Sequence, residues 1–116
     1  MKKNGKIFLT HILDSIKLVE EYLKGKSKLD FLNSIQLQDS VIRRIEIIGE
    51  AIKNIPNAIK NKYNQIPWKE ITGMRDILIH QYFGVDLDLT WQVIVKDLPR
   101  LKSQILDINK KMDIAQ

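Results

Sequence analysis

No cysteine occurs in the 116 residues. This excludes a disulfide framework and a thiolate metal site, and nothing points to an oxidising compartment, so a reducing cytoplasm is the expected location. Histidine is nearly as scarce. His11 and His80 fall on different predicted helices, and only Asp76 stands at a ligand spacing from either, so no metal centre is expected. No stretch approaches the roughly 18 apolar residues of a membrane span. The N-terminus begins like a signal peptide with Lys2 and Lys3, but His11, Asp14 and Glu20 interrupt any apolar core such a peptide needs. A soluble protein without membrane contact is expected. Period-two alternation is missing over any useful length, as are a phosphate-cradling glycine loop, a Ser-His-Asp arrangement, internal repeats and low-complexity tracts. No cofactor is called for.

What is present fits one domain over residues 1–116, long enough to bury roughly 65% of the surface its unfolded form exposes. Nineteen basic against fourteen acidic residues give a formal charge of +5, which favours polyanionic partners without identifying one. The distribution says more than the sum. Between Ala51 and Lys69 stand Lys53, Lys60, Lys62 and Lys69 with no acid among them. Such a run reads either as a solvated helix-and-loop face or as a phosphate-facing flank.

Phe8, Ile12, Ile16, Val19 and Leu23 recur at helical spacing, widened by Leu9 and Leu13, and predict a helix over about Asn4 to Lys24 that Gly25 ends. After a short polar link, a long second helix begins between Asp30 and Ile35 and runs to about Ile55, where Pro56 stops it. Its stripe is Ile35, Val41 or Ile42, Ile45, Ile48, Ile52 and Ile55. On it, Asp39 and Arg43 make an attractive i,i+4 pair; Glu46 and Glu50 repel unless a cation such as Arg43 intervenes. Pro56 to Tyr63 forms a short helix, and Pro67 opens another that reaches about Tyr82 and closes at Phe83-Gly84. Asp86 or Asp88 then caps a last helix from about Leu87 to Met112, which Pro99 kinks or splits near Asp97. The fold is all-α, an up-and-down bundle of four or five helices.

The fourth helix carries the candidate site. At about 100° per residue, Met74, Arg75, Leu78, Ile79 and Tyr82 fall within about 80° of Ile71, with Trp68 beside them. Ile77 widens this arc to about 200°, more than one buried face needs, so a second subunit is expected to cover part of it. Asp76 and His80 form an i,i+4 pair on the far side. Arg75 and His80 lie about 140° apart and do not converge on one ligand from a straight helix. A curling Arg stem, a distortion before Gly84 or two such helices meeting about a two-fold axis would each bring them together; the two-fold fits the excess apolar arc best and makes the protein a homodimer. An imidazole can take a proton from a hydroxyl, and a guanidinium fork can hold a phosphate and stabilise its gathering charge. That pair suits metal-independent cleavage of RNA, whose 2′-hydroxyl is its own nucleophile, with Asp76 orienting His80. The bland alternatives stay open. His80 reads equally as a dipole-matched surface residue, Arg75 as a snorkelling core edge and Tyr82 as a half-buried aromatic. Trp68 and Trp91 read as core or interface anchors rather than base-stacking platforms.

Arg75-Asp-Ile-Leu-Ile-His80-Gln-Tyr82 resembles the Arg, four residues, His, any residue, Tyr pattern of the HepT-like proteins, toxins within the HEPN superfamily of α-helical ribonucleases. Ile48-Gly49-Glu50-Ala51 resembles the family's Ile-Gly-Glu-Ala stretch, Ile66-Pro67-Trp68 its entry to the motif helix, and Gly84-Val85-Asp86 with Trp91 its exit. The resemblance covers most of the chain, to about Pro99. It implies a homodimer with a composite cleft in which Arg75 and His80 are catalytic, Asp76 takes a position where many relatives have Asn, and cleavage leaves a 2′,3′-cyclic phosphate. It implies, too, a type VII toxin-antitoxin module in which a partner nucleotidyltransferase of the MntA type adenylylates Tyr82 and so excludes RNA. A higher assembly with that antitoxin is compatible with it. Gly49 is then expected where helices pack closely, against the motif helix, with Glu50 near Arg75. A different class of function fits the same residues: a non-catalytic helical module that binds a nucleotide or associates with a nucleotidyltransferase. A structural dimerisation domain is the third.

Overall fold

The computed structural model describes residues 3–73 and 86–115, with side chains over residues 5–73 and 86–112. Every regular element among the described residues is helical. α1 (Lys3–Leu23) ends where Gly25 adopts φ +74°, the left-handed conformation a glycine accepts without a Cβ penalty. Its buried stripe is Leu9, Ile12, Ile16 and Val19, with Phe8 and Leu13 only partly covered. Leu9, expected only to widen the stripe, is fully buried.

The polar link is itself structured. Ser27 caps a one-turn helix, α2 (Lys28–Leu32): its hydroxyl accepts from the Asp30 amide at 3.1 Å, and the Asp30 carboxylate accepts from the Ser27 amide at 2.9 Å. The Ser27 amide is the main reason, ahead of the Ser27 hydroxyl and nearby Lys26, that the Asp30 carboxyl titrates below its ordinary 3.8. Gln38 donates through Nε2 to the carbonyls of Phe31 and Leu32, at 3.0 and 3.1 Å, and so closes the far end of α2. Phe31 is fully buried and stacks at a tilt on Trp91, 5.5 Å between ring centroids.

α3 (Ile35–Asn54) starts from Ser34, whose hydroxyl accepts from the Leu37 amide. Val41, Ile45, Ile48, Ala51 and Ile52 form its buried face. Ile35, expected on that face, is instead 75% exposed, because the helix opens beyond the end of the core. Arg43 pairs with Glu46 at 2.6 Å rather than with Asp39, which puts a cation on one of the two glutamates that face each other on α3.

Pro56 follows α3 and caps α4 (Asn57–Lys62). α4 meets the first turn of α1, where a Cβ on buried Gly5 would press on the Ile59 Cδ1 methyl and make that side chain turn away. α5 opens after Pro67, and its described residues are 68–73. Asp86 caps α6 (Leu87–Gln92), accepting from the Leu89 amide at 3.0 Å, and Thr90 donates its hydroxyl to the Asp86 carbonyl. α6 runs into a π-helical turn (Val93–Asp97) and then α7 (Leu98–Ala115). Pro99 explains the turn. It has no amide to donate and its ring cannot sit under the carbonyl four residues back, so the helix widens, and the Leu98 amide reaches the Val93 carbonyl. The expected split therefore occurs as a bulge that keeps the axis continuous.

α1 packs most extensively on α3 and also against α7. Leu101, Ile105 and Ile108 of α7 close the core, and Lys102 bonds both Glu20 oxygens at 3.0 and 3.1 Å across the α1–α7 surface. Exposed pairs of this kind contribute about 0–1 kcal/mol, so the aliphatic seam carries the stability. No described helix is long and apolar enough to cross a membrane. Ile105→Ala should cost about 2–5 kcal/mol in urea denaturation, whereas Ile35→Ala should stay within about 0.5 kcal/mol of wild type.

Candidate functional site

The start of α5 is fixed by its first residues. Trp68 is 8% exposed and donates its indole Nε1–H to the Tyr63 carbonyl at 3.2 Å, tying the start of α5 to the end of α4. The Trp68 amide bonds the Ile66 carbonyl at 2.8 Å, and the Ile71 amide the Pro67 carbonyl at 3.1 Å, which is the first helical bond. Thr72 donates its hydroxyl to the Trp68 carbonyl. Both tryptophans thus act as core anchors: Trp68 through this bond and Trp91 against Phe31.

Arg75, Asp76, His80 and Tyr82 lie outside the described residues, as does the helix end expected at Phe83-Gly84. Gly49 and Glu50 lie within them. Gly49 is buried and shares a small apolar cavity with Ile71, Val93 and Leu98, so this glycine faces the gap between α3, the described turns of α5 and the start of α7. Glu50 is exposed on another side of α3. It lines an open groove of about 510 Å³ between α1 and α3, together with Phe8, His11, Arg43, Glu46 and Asn54. His11 meets Phe8 edge to face there, 6.3 Å between centroids. Sequence reading had given His11 no role, and its proximity to α3 becomes visible only once the α1–α3 packing is known. No cluster of histidine and carboxylate suited to a metal ion occurs among the described residues.

The lysine run is sorted by the fold. Lys53 from the last turn of α3, Lys60 from α4 and Lys69 from α5 line one groove of about 460 Å³, with Asn57, Thr72 and Gly73. Lys62 does not join them. It lies over the Tyr63 ring, 5.6 Å from the centroid, on a side that Lys111 of α7 also approaches at 6.0 Å. Asn57 and Thr72 were not singled out from the sequence; only the α3–α4–α5 path brings them beside the lysines.

Across residues 12–108 the chain matches the family model described as ribonuclease HepT-like. It is 62% identical over 113 residues to the "Gamma-glutamylcyclotransferase and putative RNase" of Methanocaldococcus jannaschii, a match covering 97% of this chain and 51% of that protein. The chain therefore spans about half the length of that relative. It is 44% identical over 110 residues to the "Probable ribonuclease HepT" of Thermococcus cleftensis, covering 95% of this chain and 100% of the relative. It is 43% identical over 109 residues to a "Putative RNase" of Caldanaerobacter subterraneus, covering 94% and 97%. No solved structure matches the chain.

Trp68→Phe removes a buried donor from the α4–α5 joint while keeping most of the apolar surface. It should cost about 1–2 kcal/mol, read as a lower urea midpoint with an unchanged denaturant slope.

Proposed function

The chain belongs to the ribonuclease HepT-like family, and on that premise we propose that it is a metal-independent endoribonuclease whose active centre is Arg75 and His80. The observation that carries the reading is the family match over residues 12–108, which takes in the whole Arg75-x4-His80-x-Tyr82 pattern. Relatives of the same length bear ribonuclease names.

In this mechanism neutral His80 takes the proton of an RNA 2′-hydroxyl. The freed oxygen attacks the adjacent phosphorus, and the P–O5′ bond breaks as the 2′–O–P bond forms. The products are a 2′,3′-cyclic phosphate and a 5′-hydroxyl, the leaving oxygen taking up a proton. Arg75 donates to the non-bridging oxygens and stabilises the charge that gathers on them. Asp76, one helical turn before His80, orients the imidazole and keeps it basic. At ideal helical spacing Arg75 and His80 would stand about 140° apart, and in this reading two chains meeting about a two-fold axis supply the cleft. Gly49, which shares a cavity with Ile71, supports this helix from α3. The physiological role in this reading is that of a toxin in a type VII module, silenced when an MntA-like nucleotidyltransferase adenylylates Tyr82 and places bulk and phosphate charge at the cleft mouth.

Purified, unmodified protein should cut RNA in the presence of EDTA. His80→Ala and Arg75→Ala should each lower the rate by at least about 100-fold with the helical circular dichroism unchanged. Wild-type rates in the His80→Ala protein would overturn the assignment.

A further inference from the structure

We propose that Lys53, Lys60 and Lys69 form a phosphate track that holds the RNA strand on its way to the active centre. The inference rests on the ribonuclease reading, since it takes the bound polyanion to be RNA. It starts from an asymmetry in the fold: of the four lysines between Ala51 and Lys69, three from three different helices line one groove, and the fourth is turned onto the Tyr63 ring.

Local helix chemistry accounts for two of the three but not for the set. Lys53 and Lys60 sit in the last turns of α3 and α4, where a cation complements the helix dipole. Lys69 sits in the first turn of α5, where the dipole opposes a cation. Its placement therefore does nothing for the helix that carries it. Among the described residues none of the three lysines has a carboxylate partner, while Lys28, Lys102 and Lys111 each do. The stretch from Ala51 to Lys69 has no acid to neutralise the groove. Asn57 and Thr72 add side-chain polar groups on its wall, and the Trp68 bond to Tyr63 that ties α5 to α4 holds two of its sides together.

The occupant follows from shape and charge. The groove is open, basic and crosses three helices, and Trp68 is too buried to stack a base. It suits the backbone of a single strand rather than a base-reading pocket, so it contributes affinity without sequence preference. Gly73, two residues before Arg75 in sequence, is among the residues that line it.

Counterion release gives the test. Binding of a fluorescent 2′-O-methyl oligouridine of about 12 nucleotides, which cannot be cut, is followed by anisotropy at several salt concentrations for wild type, Lys53→Gln/Lys60→Gln/Lys69→Gln and Lys62→Gln. Each phosphate contact on a single strand contributes about 0.7 to the slope of log affinity against log salt, so the triple variant should lose about 2 from that slope and Lys62→Gln none. Single groove variants should each lose about 0.7, which keeps the test valid if the triple protein folds poorly. An unchanged slope in the groove variants, or an equal loss in Lys62→Gln, overturns the track. Cleavage of unmodified RNA by the same wild-type preparation is scored separately. Cleavage with unchanged slopes removes the track and leaves the ribonuclease; slope loss without cleavage removes the ribonuclease and leaves a strand-binding groove.

Discussion

The aliphatic seam where α1 lies along α3 and is closed by α7 is the frame on which the other described helices are placed. Leu9, Ile12 and Ile16 meet Ile48, Ile52, Leu101, Ile105 and Ile108, all with almost no exposure to solvent. Each such side chain contributes on the order of 1.5–3 kcal/mol when buried, far more than the exposed ion pairs that decorate the same helices. The seam holds the C-terminal half of α3, and from there placement passes down the chain in short steps. Pro56 ends α3, α4 meets the first turn of α1 at Gly5, and the Trp68–Tyr63 bond sets where α5 begins. These joints set the start of α5, whose described turns end at Gly73, two residues before Arg75 in sequence.

Charge is handled differently from packing. The apolar stripes leave little choice about which residue faces inward, but a lysine's long stem can lie either way. The fold uses that freedom at the α3–α4–α5 corner, where Lys62 covers Tyr63 and the other three share the groove. Sequence alone left the run as either a solvated face or a phosphate-facing flank; geometry turns Lys62 onto Tyr63 and gathers the other three along one groove.

Periodicity made the long helices legible. The α1, α3 and α7 spans, the Gly25 stop, the Asp86 cap and the break at Pro99 follow from residue spacing and cap chemistry. What escaped was short or three-dimensional. The polar link hid α2 because Ser27 and Asp30 form a capping box ahead of a single turn, too short for a hydrophobic period. Ile35 matched the stripe in sequence but projects past the end of the core, which no pattern along one helix can reveal. Pro99 announced an interruption, yet its form as a π-helical bulge depends on the bonds the neighbouring turns could still make. For the candidate site, the Gly49 expectation meets its counterpart in the cavity shared with Ile71. Arg75, His80 and Tyr82 lie within the span of the family match. Their spacing could be read from the sequence, but no pattern along one chain shows what brings a guanidinium and an imidazole from different faces of a helix to one ligand.

That convergence can be measured by mixing. Arg75→Ala and His80→Ala proteins, each inactive alone, are unfolded together and refolded so that subunits redistribute. If guanidinium and imidazole meet across a two-fold seam, half the dimers are mixed and one of their two clefts is intact, so about a quarter of wild-type RNA cleavage should return. Cleavage no greater than that of either variant alone, in a mixture that has exchanged subunits, would contradict the shared cleft.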